Sequence, residues 1–148
     1  MNLKPIVLID DDSEDLELMQ TALIELKISN EVLPFTNADR AFEFITTTKK
    51  KPFLILCDIN MNGTNGLELR KKIHNNDAYR LKSIPFLFLS TSKTPQYITE
   101  AYALSAQGYF VKPGSMEEIK SMLKCIIDYW GICQNPNQYQ PFSNKEVS

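Results

Sequence analysis

The chain has 148 residues, 43% hydrophobic and 23% charged, with a formal net charge of −2. That length fits one globular domain burying about 68–70% of its unfolded surface, and the small charge gives no reason to expect a nucleic acid or an anionic membrane as partner. No stretch approaches the ~20 apolar residues of a membrane span, and an N-terminus of Lys4 and a short apolar run lacks the form of a secretory leader, so a cytoplasmic protein is expected.

The elements alternate along the chain. Ile6, Val7, Leu8 and Ile9 form a first apolar run that meets Asp10, Asp11 and Asp12. Short apolar runs bounded by turn residues read as strands buried on both faces. Ser13 is placed to cap a first helix, with Glu14 and Asp15 in its first turn where acids suit the helix dipole. Leu16, Met19, Leu23 and Leu26 give that helix one apolar face. Residues 31–35 form a weaker second strand, and Pro34 suggests an edge position. Asn37 caps a second helix with Ala41, Phe44 and Ile45 inward.

A third strand, Phe53 to Cys57, runs into Asp58. A turn-rich loop follows, then a short third helix over about residues 67–75 and a polar connection over 76–84. The fourth strand, Phe86 to Leu89, ends at Ser90 and Thr91, and Pro95 suits the first turn of a fourth helix. Gly108 opens a fifth strand, Tyr109 to Val111, which ends at Lys112-Pro113. Ser115 to Glu118 reads as a capping box for a last helix. Its apolar face is Ile119, Met122, Leu123, Ile126, Ile127 and Trp130. This βα series predicts an α/β fold, a flavodoxin-like doubly wound (βα)5 sandwich with parallel strand order 2-1-3-4-5.

Residues 1–130 read as one domain and 131–148, rich in Asn, Gln and Pro, as a tail docked at most through Ile132, Tyr139 or Phe142. No output domain is expected in so short a segment. Cys57, Cys125 and Cys133 are odd in number and form no CxxC pair, so reduced thiols are expected.

Four strand ends carry complementary chemistry. In the predicted order the first and third strands are neighbours at the switch point, where ligands bind beyond the strands' carboxyl ends. Asp10, Asp11 and Asp58 would meet there. Three carboxylates raise one another's pKa values unless a cation is present. An oxygen-only set with room for water suits Mg²⁺, and Lys112 can offset the remaining negative charge. Asp58 is the candidate nucleophile, since a carboxylate can take a phosphoryl group as an aspartyl phosphate. Ser90 offers a hydroxyl donor and Lys112 a point charge with three donors. A cis Lys112-Pro113 bond would help aim the lysine. Asp12 reads as a solvated or helix-capping acid, and the lone His74 as a solvated side chain. There is no zinc ligand set.

Over about residues 4–130 these motifs resemble the receiver domain of a two-component response regulator. The resemblance makes Asp10 and Asp11 the acidic pair, Asp58 the phosphoacceptor, Ser90 the hydroxyl position, Tyr109 the switch aromatic and Lys112 the lysine of that family. It implies that Asp11, Asp58 and the backbone carbonyl of Asn60 touch Mg²⁺ directly, with Asp10 acting largely through water. Residues 81–85, the Ser90-Thr91-Ser92 run and the Tyr129-Trp130 end further resemble single-domain regulators that serve phytochrome-type sensor kinases. Two residues depart from the pattern. Asn62 stands where proline is usual, which predicts a looser loop, and Gly114 stands where a bulkier apolar residue is common.

The function so implied is that of a phosphoacceptor. The protein takes a phosphoryl group from a histidine kinase or phosphotransfer protein, catalyses only its own phosphorylation and dephosphorylation, and then binds a downstream target differently. Ser90 would move toward the phosphoryl group and Tyr109 would turn inward, changing the face of the fourth helix, fifth strand and fifth helix. Homodimerisation through that face is compatible with this. Two readings remain open beside it. A Mg²⁺-dependent phosphohydrolase with an aspartyl-phosphate intermediate would want an Asp-x-Asp nucleophile on the first strand and a cap domain, and would leave Asp58 unexplained. A pseudo-receiver would act purely by contact, independently of phosphorylation.

Overall fold

The structure is a computed structural model that describes residues 3–135. Five strands form one parallel sheet in the order β2-β1-β3-β4-β5, as the alternation predicts. They are β1 (Ile6–Ile9), β2 (Val32–Phe35), β3 (Leu54–Cys57), β4 (Phe86–Ser90) and β5 (Gly108–Val111). The three central strands are buried along their whole length, which is why they read as unbroken apolar runs. Pro34 lies in β2, at the sheet edge, where its missing N–H costs no ladder bond.

Alternate residues of each strand feed two separate cores. Ile6, Leu8, Leu54, Leu56, Leu87 and Leu89 face α1 (Ser13–Glu25) and α6 (Met116–Ile132). Val7, Ile9, Ile55, Cys57, Phe86 and Phe88 face α2 (Ala38–Thr47), α3 (Gly66–His74) and α5 (Pro95–Ala103). Cys57, Cys125 and Cys133 are all free thiols.

Several local expectations are corrected. Asp12, not Ser13, caps α1; one of its carboxylate oxygens accepts the N–H groups of Glu14 and Asp15. Residues 76–84 are not simply a polar connection. The Asn76 side chain accepts the Ala78 N–H, and a single helical turn, α4 (Tyr79–Lys82), follows. Ala78, Leu81 and Ile84 are buried there at a three-residue spacing, too short a run for periodicity to register. The helix α6 continues to Ile132, which is 82% exposed. Tyr139 and Phe142, named above as docking residues, lie outside the described residues. Among those described, no helix is long and apolar enough to cross a membrane.

Two contacts fix α3 against the rest. Arg70, 1% exposed, donates from Nε to Leu104 O at 2.8 Å and from Nη2 to Ser105 O at 2.9 Å. Its guanidinium lies 5.4 Å from the centroid of the Phe86 ring. A cation over the last carbonyls of a helix complements the helix dipole, yet burial still pulls the Arg70 pKa down to about 10. At the other end of α3, Gly66 passes so close to β3 that a Cβ would stand 2.1 Å from Asp58 O. No side chain fits there. Gly66→Ala is therefore expected to lower unfolding free energy by about 1–3 kcal/mol through overpacking. Gly114→Ala, with nothing within 4 Å, should change it by less than about 0.5 kcal/mol, and urea unfolding of the pair would read the difference.

Candidate functional site

Strand register brings the polar strand ends together. Ile9 pairs with Cys57 and Cys57 with Phe88, so Asp10 and Asp58 leave the sheet at one level. The Asp58 N–H donates to Ile9 O at 2.9 Å and the Asp10 N–H to Phe35 O at 3.0 Å. Ser90 pairs with Val111, and the next N–H, that of Lys112, donates to Ser90 O at 2.9 Å. One carboxylate oxygen each from Asp10, Asp11 and Asp58 lies within 4.8 Å of the others. The structure thus gathers Asp10, Asp11, Asp58, Ser90 and Lys112 at one end of the sheet.

Lys112 is the centre of this cluster. Its Nζ donates to Asp10 Oδ2 at 2.7 Å and to Asp15 Oδ2 at 2.8 Å, and stands 3.7 Å from Asp58 Oδ2. Burial is the largest single influence and lowers its pKa, but the bonds to Asp10 and Asp15 and the charge of Asp58 outweigh it, so the net shift is upward. Asp15 was not anticipated as a lysine partner; nothing in the sequence separates it from Glu14 beside it. The Lys112-Pro113 bond is trans, correcting the cis isomer considered above.

The two deepest acids are held at a cost. Burial pushes the Asp10 pKa up, against lowering by Lys112 and the Asp12 N–H. Burial does the same to Asp58, with Lys112 opposing and Asp10 adding to the rise. Asp58 Oδ1 accepts the Ile59 N–H at 2.9 Å, which leaves Oδ2, too far from Lys112 for a hydrogen bond, as its less engaged oxygen.

The flanking residues complete the picture. Ser90 is fully buried, and its hydroxyl accepts the Ser92 N–H at 3.2 Å. The half-buried Tyr109 phenol donates to Ser92 O, and burial raises its pKa. Asn60 is exposed, two residues past Asp58 in the β3–α3 loop. In that loop the Asn62 N–H, which a proline would lack, donates to Asp11 Oδ2 at 2.8 Å. Asn65, not singled out from the sequence, closes the loop with a reciprocal capping box to Glu68. The Asp12 carboxylate serves its helix cap and stays out of the cluster.

The three clustered carboxylates of Asp10, Asp11 and Asp58, all oxygen donors and partly buried, fit a hard divalent cation. Because the folded-state pKa values of Asp10 and Asp58 are raised, each contributes stability only while protonated. Stability is lost as pH rises from the unfolded carboxylate value near 4 through the folded value. In chelator, Asp58→Asn is expected to raise the unfolding midpoint at pH 7, with the advantage vanishing below about pH 4. Thermal unfolding across that range would show it, and a midpoint lowered at pH 7 would contradict it.

The family of response regulator receiver domains matches residues 6–124. Response regulator Rcp1 of Synechocystis is 27% identical over 132 residues, 86% of this chain and 88% of that protein. Two-component response regulator ARR17 of Arabidopsis thaliana is 30% identical, covering 81% of this chain and 82% of the relative. Among solved structures, the phosphorylated cyanobacterial phytochrome response regulator RcpA superposes with a TM-score of 0.80 at 27% identity, over 90% of this chain and 98% of that one. The Mn²⁺-bound form of Rcp1 gives 0.78 at 26%, over 90% and 99%. Sequence match, strand order and clustered strand-end acids agree: this chain belongs to the response regulator receiver domain family.

Proposed function

We propose that the chain is the phosphoacceptor of a two-component phosphorelay, modified on Asp58. The observation that carries this reading is the Asp58 carboxylate, whose Oδ2 stands 3.7 Å from Lys112 Nζ and which clusters with Asp10 and Asp11. A phosphoryl donor such as a phosphohistidine would approach that oxygen. The Asp58 Oδ2–P bond forms as the donor's N–P bond breaks, and the histidine keeps the electron pair. Asp11, Asp58 and the Asn60 carbonyl would hold Mg²⁺ directly and Asp10 through water. Mg²⁺ bound there supplies positive charge to phosphoryl oxygens and to the carboxylates. Lys112 would then shift part of its charge from Asp10 and Asp15 to the new phosphoryl group, and the Ser90 hydroxyl would donate to it.

The switch follows from the same bonds. The Ser90 hydroxyl accepts the Ser92 N–H, and Tyr109 donates to the Ser92 carbonyl. Drawing Ser90 toward Asp58 would loosen that loop and let Tyr109 turn further inward, altering the α5–β5–α6 face. Tyr102, Val111 and Tyr129 are exposed on these elements and offer apolar contact to a downstream target or a second copy of the chain. Similarity to Rcp1 and RcpA supports a phytochrome-type histidine kinase as the donor, and a cytoplasmic location accords with that partner. Nothing favours the phosphohydrolase alternative, whose Asp-x-Asp motif would need Asp12, here the cap of α1.

Incubation with acetyl phosphate and Mg²⁺ is expected to add one labile phosphoryl group by intact mass. Asp58→Asn and chelator should each abolish the gain. Absence of any adduct on folded, Mg²⁺-bound wild type would leave the phosphorylation-independent module as the better reading. Mg²⁺ at 100 times its dissociation constant should stabilise the fold by about 2.7 kcal/mol, and Asp11→Ala should remove most of that increment.

A further inference from the structure

The opposite end of the sheet carries a second cluster that receiver chemistry does not use. The N-terminal approaches to β1 and β3 place Lys4 and Lys51 together, since Ile6 and Leu54 pair across those strands. With Phe53, Pro85, Trp130 and Asn135 they line a cavity of about 80 Å³. Lys51 is only 7% exposed. Its Nζ donates to Asn135 Oδ1 at 3.0 Å, and Asn135 Nδ2 donates in turn to Ser83 O. Neither Lys4 nor Lys51 pairs with a carboxylate among the described residues; the neighbouring Lys50 takes Glu31 instead.

This is an unfavourable place for two amines. A buried ammonium is costly without a counter-charge and hydrogen bonds, and a second lysine adds repulsion. Burial chiefly, with Lys4 assisting, drives the Lys51 pKa down to about 7. The vacant room matters as much as the charge. A water molecule's share of liquid volume is about 30 Å³, so the cavity could take an ion of a few heavy atoms, whereas drug-sized ligands need about 300–1,000 Å³.

We propose that this cavity is a binding site for a small tetrahedral oxyanion of the inorganic phosphate class, held between Lys4 and Lys51. The anion supplies the charge that the two lysines lack, while Asn135 fixes the Lys51 amine at the wall. The site is distinct from the aspartate cluster. Six residues of largely extended chain lie between Lys51 and Asp58, about 20 Å, and the acidic end repels anions. Lys51 faces Lys4 across a cavity that the Cys133 side chain also lines, so anion binding near pH 7.5 draws a proton onto Lys51.

The test uses the full chain in chelator, so that no cation occupies the aspartates. Inorganic phosphate is titrated against sodium chloride of equal ionic strength, with thermal unfolding and calorimetry as readouts. Phosphate should raise the unfolding midpoint saturably where chloride does not, with proton uptake that shrinks toward pH 6. Lys51→Met should weaken phosphate binding by about tenfold or more, the loss expected for one charge-assisted hydrogen bond, and should unfold at a higher midpoint in anion-free buffer. Equal responses to phosphate and chloride, or unchanged phosphate affinity in Lys51→Met, overturn the proposal. Should Lys51→Met fail to fold, NMR titration of the wild-type Lys51 amine decides. Phosphate should shift that titration upward from near neutrality. An ordinary lysine value in anion-free buffer would mean that carboxylates of residues 136–148 already neutralise the pair, and would also overturn it.

Discussion

The ammonium group of Lys112 allows the acids of this sheet edge to coexist. Asp10, Asp11, Asp15 and Asp58 come from the end of β1, its following loop, α1 and the end of β3; strand register, that lysine and backbone N–H groups such as those of Asn62 and Ile59 hold them together. Repulsion among them favours an expanded edge. Lys112 bridges α1 to the end of β1 through Asp15 and Asp10, leaving Asp58 an ion pair at 3.7 Å without a hydrogen bond. The result is a site whose charge is under-compensated: one ammonium group faces the carboxylates of Asp10, Asp15 and Asp58, and Asp11 pairs with no cation among the described residues.

Much of this was legible in the sequence because burial on both faces leaves a simple signature. Residues 6–9, 54–57 and 86–89 are continuous apolar runs, and the polar residue that follows each run is brought to the same end of the sheet by parallel pairing. From that, the meeting of Asp10, Asp58, Ser90 and Lys112 follows with little further input. What escaped were contacts set by side-chain direction. Asp15 and Glu14 are equivalent acids in a helix's first turn until the helix is docked. Asp12 takes the cap from Ser13 because it is the last residue in extended conformation, a one-residue difference that periodicity cannot resolve. The turn α4 is shorter than one period of its own pattern.

Arg70 shows the same limit in the core. On a helical wheel it is one charged residue in the run Glu68 to Lys72, and its complete burial is invisible there. Docking against Phe86 and the carbonyls of Leu104 and Ser105 turns it into the joint between α3 and the turn that feeds β5. Ser105 holds a positive φ of 62° at that turn, so the guanidinium secures a stretch of backbone with little tolerance of its own. No carboxylate pairs with it among the described residues, and its Nη1 is buried without a hydrogen-bond partner there.

The closeness of Gly66 to the Asp58 carbonyl bears on the direction in which a disturbance at Asp58 can travel. The main chain at that residue is clamped on both sides, by the Ile9 carbonyl in the sheet and by a helix start with no room for a methyl group. That half of the site is mechanically stiff. The other half is compliant, because Ser90 and Tyr109 reach the β4–α5 loop through single hydroxyl bonds rather than packed backbone. On the proposed function, a displacement at Asp58 would be directed away from α3 and toward β4, β5 and the face beside them. A message written on one side chain acquires its direction from a glycine that never touches the reacting atoms.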